Sequence, residues 1–294
     1  MRNLLCIIFM GFFCFINSSY SQSKKDTTWI IETKDGNNYV GTIKYLQDSL
    51  VQINASIGVL NIHKKNIRSI IPLKQSEIVK GEFWPENPHS SRYFWGPSGY
   101  NLKKGEGYYQ NTWILLNQVS YGITKNISLG VGIIPLFLFG GGAESTPIWI
   151  TPKISFPYKN NKGAIGFGTI LFFIPSFDSE SNNSSIGILY GCNTFGTRDK
   201  QLTLGLGLGY SSPGGFATLP TFSISGMIRT SKKWSLITEN YLISIDSENK
   251  FGIISAGARY MTRHLAIDFG GVIPIGSDLG IIALPWLGII VPFR

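Results

Sequence analysis

The chain has 294 residues, of which only 15% are charged, whereas about a quarter is usual in soluble domains; Gly (34 residues) and aromatic side chains (13%) are abundant. The formal net charge is +9, yet no run of Lys and Arg exceeds two residues, which argues against nucleic acid as a partner. This composition favours β-strands in an apolar environment.

The N-terminal residues have the pattern of an export signal. A positive charge precedes an apolar run over residues 4–16, and small side chains follow at positions 19 and 21. This predicts a signal peptide over residues 1–21, with a retained anchor as the alternative. Two of the three cysteines lie inside this segment. The exported chain is therefore expected to keep only Cys192 and to form no internal disulfide.

Residues 28–71 contain five short β-branched runs separated by turn signals such as Asp35-Gly36. This spacing predicts five short strands in a small, curled β-barrel. The stretches DGNNYVGTI and LVQINASIGVLNIHKKNI resemble Sm-like or SH3-like folds, a resemblance that implies no particular ligand because those folds host many functions. The polar, proline-marked residues 72–91 are predicted to be a linker.

From residue 92 the sequence consists of segments of about 10–13 residues, which is long enough for a tilted strand to cross a bilayer. Turns of two kinds separate them in strict alternation. One kind is short and basic, such as GITKN and GTRDK; the other is rich in Gly, Ser or Pro, such as PSFDSESNNSS. We predict an all-β, up-and-down antiparallel transmembrane barrel over residues 92–294, with twelve strands, or ten as the alternative.

The beginning of this barrel is its weakest part. Residues 92–95 are predicted to be a short first strand, and residues 109–121 the second, with GPSGYNLKKGEG as a loop between them. Aromatic residues near the segment ends predict two girdles at the bilayer interfaces. Trp95 and Trp149 are assigned to the girdle near the longer loops.

The stretch GPSGYNLKKGEGYYQNTWILLNQVSYGITKNISLGVG, residues 96–132, is similar to uncharacterised outer-membrane proteins of Bacteroidota. This resemblance implies an outer-membrane location in a Gram-negative bacterium, and an even strand count puts residues 28–71 in the periplasm with the short turns. The expected partners are outer-membrane lipid, the barrel-insertion machinery and, through residues 28–71, a periplasmic protein or part of the envelope. Neither a cofactor nor a metal is expected.

Strand alternation assigns a set of charges to the lumen. Arg259 and Asp268 are expected to be diagonal neighbours on adjacent strands, and Glu239 is expected opposite Gly257. Lys153 is a further lumenal candidate. This charge patch is either a salt-bridge network that offsets the burial of charge, or a constriction that selects solutes.

The same alternation predicts a lumenal wall of glycines. In QLTLGLGLGY, residues 201–210, the leucines are expected to face lipid. The opposite face of this strand has few large side chains and is expected to face the lumen. The predicted wall consists of Gly166, Gly168, Gly187, Gly191, Gly205, Gly207 and Gly209. Cys192 is expected to face lipid, and the sequence leaves open what fills the space beside these glycines.

Together these patterns predict an outer-membrane barrel that acts as a passive channel, binds or transports a small solute, or has a structural role in the envelope. A secreted or surface-exposed all-β binding or adhesion protein is the alternative, and a lipid-modifying barrel enzyme is a third possibility. His264 is the only histidine of the predicted barrel and has no obvious carboxylate partner, so we expect no enzyme.

Overall fold

The computed structural model describes residues 27–46, 49–73, 78–79, 82–84, 86–140, 142, 146–175, 184–244, 250–262, 264–276 and 283–294. The predicted signal peptide lies outside these residues. The chain divides into two units, Met1–Pro85 and Glu86–Arg294. No helix in the described part of the chain has the length and apolar character needed to cross a membrane.

The first unit contains a five-stranded antiparallel sheet. Its strands are β1 (Thr28–Thr33), β2 (Asn38–Leu46), β3 (Leu50–Ala55), β4 (Gly58–His63) and β5 (Ile67–Pro72). Their order is β4-β3-β2-β1-β5, and a single 3-10 turn, Lys64–Asn66, precedes β5. Ile31, Val51 and Ile53 are fully buried in its core. The resemblance of this segment to Sm-like or SH3-like folds stays a prediction.

Part of the predicted linker has regular structure. Two short strands, β6 (Ile78–Val79) and β7 (Glu82–Phe83), pair antiparallel within it. Residues 86–91 belong to the second unit rather than to a connection between units.

The second unit is a closed antiparallel barrel. Its strands and one short helix are β8 (Gly107–Thr112), β9 (Leu116–Gly122), β10 (Ile127–Ile133), α1 (Leu136–Gly140), β11 (Ile148–Ile150), β12 (Lys153–Pro157), β13 (Gly163–Ile174), β14 (Ser184–Gly196), β15 (Lys200–Ser211), β16 (Gly215–Phe216), β17 (Thr221–Arg229), β18 (Trp234–Ser244), β19 (Lys250–Met261), β20 (Ala266–Ile275) and β21 (Leu284–Phe293).

The barrel wall has twelve strands, as predicted. β11 and β12 count as one interrupted strand, because both pair with β10 on one side and with β13 on the other. β16 is a short piece that pairs only with the end of β15. The barrel closes where β21 pairs with β8, from Gly288 opposite Thr112 to Phe293 opposite Gly107.

Two errors at the start of the predicted barrel cancelled in this count. Residues 92–95 are not a strand of the wall, so that prediction was wrong. Residues 109–121 were predicted as one strand, but the structure splits them into β8 and β9. The turn between them contains Trp113 and Ile114 with positive φ values of 51° and 68°. Bulky and β-branched residues rarely adopt this conformation, so no turn signal was visible in the sequence.

The wall is apolar outside and polar inside. On β15, Leu202, Leu204, Leu206 and Leu208 are between 39% and 51% exposed, whereas Thr203 between the first two is buried. Buried polar side chains of the wall include Gln110, Thr112, Gln118, Ser120, Ser128, Thr194, Thr203, Ser225 and Ser255. Water-soluble sandwiches have the reverse distribution, and an apolar outer face around a polar interior is typical of membrane-spanning barrels.

The lumen is filled by the chain itself. Residues 87–102, here named the lumenal hairpin, lie inside the barrel directly before β8. The N–H of Tyr93 donates to the Gly96 carbonyl (2.9 Å), which closes a tight tip, and the N–H of Ser98 donates to the Ser91 carbonyl (3.0 Å) between the two arms. The sequence patterns assign residues 87–102 to the linker, the first strand and an outer loop, and for these residues the structure contradicts all three assignments.

The lumenal hairpin enters and leaves through the same end of the barrel. Near its start, Asn87 Nδ2 donates to the carbonyl of Arg198, in the basic turn between β14 and β15 (3.1 Å). Near its end, the Tyr100 hydroxyl donates to the carbonyl of Gly196, beside the same turn (2.5 Å). Both arms therefore lead to the rim formed by the short, basic turns.

Candidate functional site

A single carboxylate holds the tip of the lumenal hairpin. Glu239 lies in the middle of β18, is 6% exposed, and accepts hydrogen bonds from three successive backbone amides: Phe94 (2.7 Å), Trp95 (3.0 Å) and Gly96 (2.9 Å). The Tyr241 hydroxyl also donates to this carboxylate (2.8 Å). Bonds to an ionised acceptor are stronger than neutral ones, so this contact anchors the tip.

A second anchor is an ion-pair cluster on the neighbouring strands. Arg259 forms a bidentate pair with Asp268 (Nε to Oδ1 2.5 Å, Nη2 to Oδ2 2.8 Å), and both side chains are fully buried. Arg92 of the lumenal hairpin joins the same carboxylate (Nη1 to Oδ2 3.3 Å). Arg259 also donates to the carbonyls of His89 (3.2 Å) and Tyr93. The wall thus binds the hairpin through both charge and backbone.

Lys153 of β12 binds both arms of the hairpin from the other side of the lumen. Its ammonium donates to the carbonyls of Ser91 (3.2 Å) and Tyr100. The side chain is 8% exposed. Lys153 therefore ties together two residues nine positions apart in the hairpin.

The four predicted lumenal charges all face inward, but they do not form one patch. Arg259 is directly opposite Asp268 rather than diagonal to it. β18 pairs Ile237 with Gly257, and the Ser255 hydroxyl donates to the Glu239 carbonyl, so Glu239 is not opposite Gly257 as expected. The strand register separates Glu239 from the ion pair, and each group binds a different part of the hairpin.

The glycine wall is partly as expected. Gly166, Gly168, Gly205, Gly207 and Gly209 face the lumen, and a Cβ built on Gly166 would lie 3.2 Å from Gly99 Cα of the hairpin. Other glycines of the wall leave room for inward-facing side chains of the neighbouring strand. A Cβ on Gly168 would meet the Tyr190 ring, and a Cβ on Gly207 would meet the Ile188 side chain.

Gly187 and Gly191 of β14 were assigned to the wrong face. A Cβ on Gly191 would meet the ring of Phe167, an outer-face residue that is 49% exposed. Cys192 correspondingly points inward and is 7% exposed, although it was expected to face lipid. Both faces of β14 carry apolar side chains, because the filled lumen packs like a protein core. The polarity of its residues therefore does not indicate which of them face the lumen.

Two tryptophans predicted in the outer girdle lie inside the barrel. Trp95 and Trp149 are edge to face at 6.1 Å between ring centroids. Both indole N–H groups donate to Gln118 Oε1, at 3.3 Å and 2.8 Å. This contact adds an aromatic attachment to the tip of the hairpin.

Sequence reasoning missed the hairpin residues that complete the site. The Tyr93 hydroxyl bonds to Thr203 Oγ1 (2.6 Å), and Gln201 Nε2 donates to the Ser90 carbonyl (2.9 Å). His89 is fully buried beside Arg259. The only signal in SSRYFWGPSGYN is a density of small, aromatic and turn-forming residues without strand alternation. In the described residues, no group of three or more His, Cys, Asp and Glu side chains could hold a metal ion.

These observations define a closed, twelve-stranded antiparallel barrel with an apolar exterior and an interior occupied by its own N-terminal hairpin. No family model matches the chain, and no curated protein matches it.

The solved structures to which the chain is similar include an outer-membrane protein and a channel. OmpTdeltaL8, a loop-deletion mutant of OmpT of Vibrio cholerae, is 11% identical with a TM-score of 0.39, covering 90% of this chain and 96% of that chain. The CymD monoaromatic hydrocarbon channel is 8% identical with a TM-score of 0.34, covering 90% and 85%. Scores this low carry no argument, and the architecture rests on the strand pairing of the chain itself.

Proposed function

We propose that this protein is an outer-membrane barrel of a Gram-negative bacterium whose role is structural: it is a closed anchor that holds residues 28–71 in the periplasm. The observation that carries the proposal is the lumenal hairpin, whose tip is bound by the Glu239 carboxylate through three backbone amides. A passive channel needs a continuous hydrated path, and here the lumen is occupied by polypeptide.

The small size of the remaining space also supports a closed barrel. A cavity beside the hairpin has a volume of about 50 Å³. A water molecule occupies about 30 Å³ in the liquid, so this cavity has room for one or two water molecules or a small ion. Neither a sugar nor an amino acid fits without displacement of the hairpin.

The direction of the hairpin supports a periplasmic location for the N-terminal unit. In bacterial barrels the short turns face the periplasm, and both arms of the hairpin lead to the rim of the short, basic turns. We propose that residues 28–71 contact a periplasmic protein or another part of the envelope. The proposal includes no catalytic step; His264 is exposed in the turn after β19 and His89 is fully buried.

Cell fractionation tests the membrane assignment. We expect the protein in the outer-membrane fraction, and we expect the folded and the boiled protein to migrate differently on a gel. A protein that remains in the soluble fraction and shows no heat-dependent shift would support the secreted all-β alternative instead.

Planar-bilayer recording tests the closed lumen. We expect full-length, folded protein to give no stable single-channel currents at moderate voltage. Reproducible unitary current steps from the same preparation would restore the passive channel and contradict a purely structural role.

A further inference from the structure

The cavity beside the lumenal hairpin has a polar and cationic lining. Two cationic side chains, Arg92 and Lys153, contribute to it, together with hydroxyl-bearing residues such as Ser120 and Ser128. Arg92 is 2% exposed and Lys153 is 8% exposed. A dry cavity in a protein is normally apolar, so this lining indicates a polar occupant.

Arg92 has more hydrogen-bond donors than acceptors around it. Its Nη1 donates to the carbonyls of Tyr93 (2.9 Å) and Phe94 (2.9 Å) and to Asp268. Its Nε and Nη2 are buried and have no acceptor among the described residues. A guanidinium has five N–H donors, and buried donors without a partner are costly.

The charges around the cavity do not balance. Asp268 is shared between Arg92 and Arg259, so one carboxylate serves two guanidinium groups. Glu239 is engaged by the amides of the hairpin tip. The hydrogen bonds of Lys153 go to two carbonyls. Burial of charge in excess of its partners is strongly unfavourable, and a bound anion would offset it.

We propose that this cavity binds one small inorganic anion, of the size of chloride or bromide, between the guanidinium of Arg92 and the ammonium of Lys153. Ser120 accepts a hydrogen bond from Gln118 (2.8 Å), which leaves its own O–H as a further donor. The volume of about 50 Å³ favours an anion of this size over larger organic anions. The ion completes the attachment of the hairpin to the wall, whatever role the barrel has in the envelope.

Anomalous diffraction from crystals of the full-length protein grown in bromide tests the site directly. We expect a bromide peak inside the cavity, within contact distance of Arg92 and Lys153. Density that fits only water there, with no anomalous signal, would overturn the proposal.

Thermal unfolding tests the site in solution. With bromide substituted for gluconate at constant ionic strength, we expect the Tm of the wild-type protein to rise by about 5 °C and then saturate. Lys153→Met should abolish this rise. The matched control Lys159→Met removes an exposed lysine from the turn after β12 and should keep it.

An equal rise in Lys153→Met and wild type would indicate a general salt effect and contradict the proposal. If Lys153→Met does not fold, Arg92→Lys serves the same purpose, since it removes the donors Nε and Nη2 and retains the charge. A weakened dependence on bromide is then expected, and an unchanged dependence contradicts the site.

Discussion

The two walls that face the lumenal hairpin differ in chemistry. On the wall of β13 to β15, five glycines of β13 and β15 face the lumen, and a Cβ on Gly99 of the hairpin would come within 2.1 Å of the Ala164 carbonyl oxygen. The wall of β18 to β20 contributes Glu239, Arg259 and Asp268. Glu239 and Arg259 bind the backbone of the hairpin, and Asp268 binds the Arg92 side chain. The first wall gives the hairpin space and neutral hydrogen bonds, such as those of Gln201 and Thr203, whereas the second binds it through charged side chains.

This difference explains why the inner face of β15 is nearly bare. A tightly packed polypeptide inside a small barrel needs close approach on at least one side, and only small residues permit it. Substitutions on the two walls should therefore have effects of different size and kind.

The largest effect is expected on the charged wall. Asp268→Asn leaves Arg92 and Arg259 buried without their carboxylate, which should lower the free energy of unfolding by about 3–5 kcal/mol. Urea unfolding in lipid vesicles measures this loss. The control Asp199→Asn breaks a pair at the rim, where Asp199 is 38% exposed, and should cost about 1 kcal/mol or less. Equal losses in the two variants would show that the buried ion pair contributes no more to stability than the pair at the rim.

A smaller effect is expected at the tip of the hairpin. Glu239→Gln retains an acceptor but removes the charge, which should cost about 2 kcal/mol. The amides of residues 94–96 should then exchange with solvent about tenfold faster or more. Hydrogen exchange with mass spectrometry measures this, with the rim variant Glu106→Gln as control. Unchanged exchange at the tip would mean that Glu239 does not hold it.

A third prediction concerns the glycine wall. Gly166→Ala puts a Cβ 3.2 Å from Gly99 Cα and from Cys192 Sγ, and we expect a loss of about 1–2 kcal/mol from overpacking. Gly271→Ala on β20 is the matched control, because a Cβ there meets nothing within 4 Å and should change stability by about 0.5 kcal/mol or less. Chemical unfolding of both variants gives the comparison. If the two glycines behave alike, the wall does not provide the space.

The smallest effect concerns orientation alone. A lipid-soluble thiol reagent should label Cys192 slowly in the folded protein, because this side chain faces the filled lumen. Leu204→Cys, in a Cys192→Ala background, places a thiol on the outer face and should label rapidly. Labelling rates measured by mass spectrometry separate the two positions, and rapid labelling of Cys192 would reverse its assigned face.

The wall was largely predictable because its physics is repetitive. Strands such as β15 alternate strictly, and the basic turns recur at regular intervals, so the ten wall strands from β10 to β21 and their directions follow from local patterns, whereas β8 and β9 do not. Which residues of β14 face the lumen was not predictable, since apolar side chains such as Ile188 and Leu189 point to opposite faces. Once the lumen is filled, the inner face loses the polar signature that distinguishes it.

The site was less predictable because it depends on contacts distant in sequence. Glu239, Arg259, Asp268 and Lys153 could be assigned to the lumen from alternation alone. Their partners could not, because residues 87–102 have no periodicity and bond to residues more than 90 positions away, such as Thr194 and Thr203. The ion pair of Arg259 was expected, but the joining of Arg92 to it was not.

The course of the lumenal hairpin also has a topological consequence. A chain that passed from one rim to the other could leave the barrel only if one of its ends were drawn through the lumen or the seam between β8 and β21 opened. Because both arms lead to the same rim, the hairpin can be inserted or withdrawn while every strand of the wall stays paired. Closure of the wall and filling of its interior are thus separable events, and neither order of assembly produces a knot.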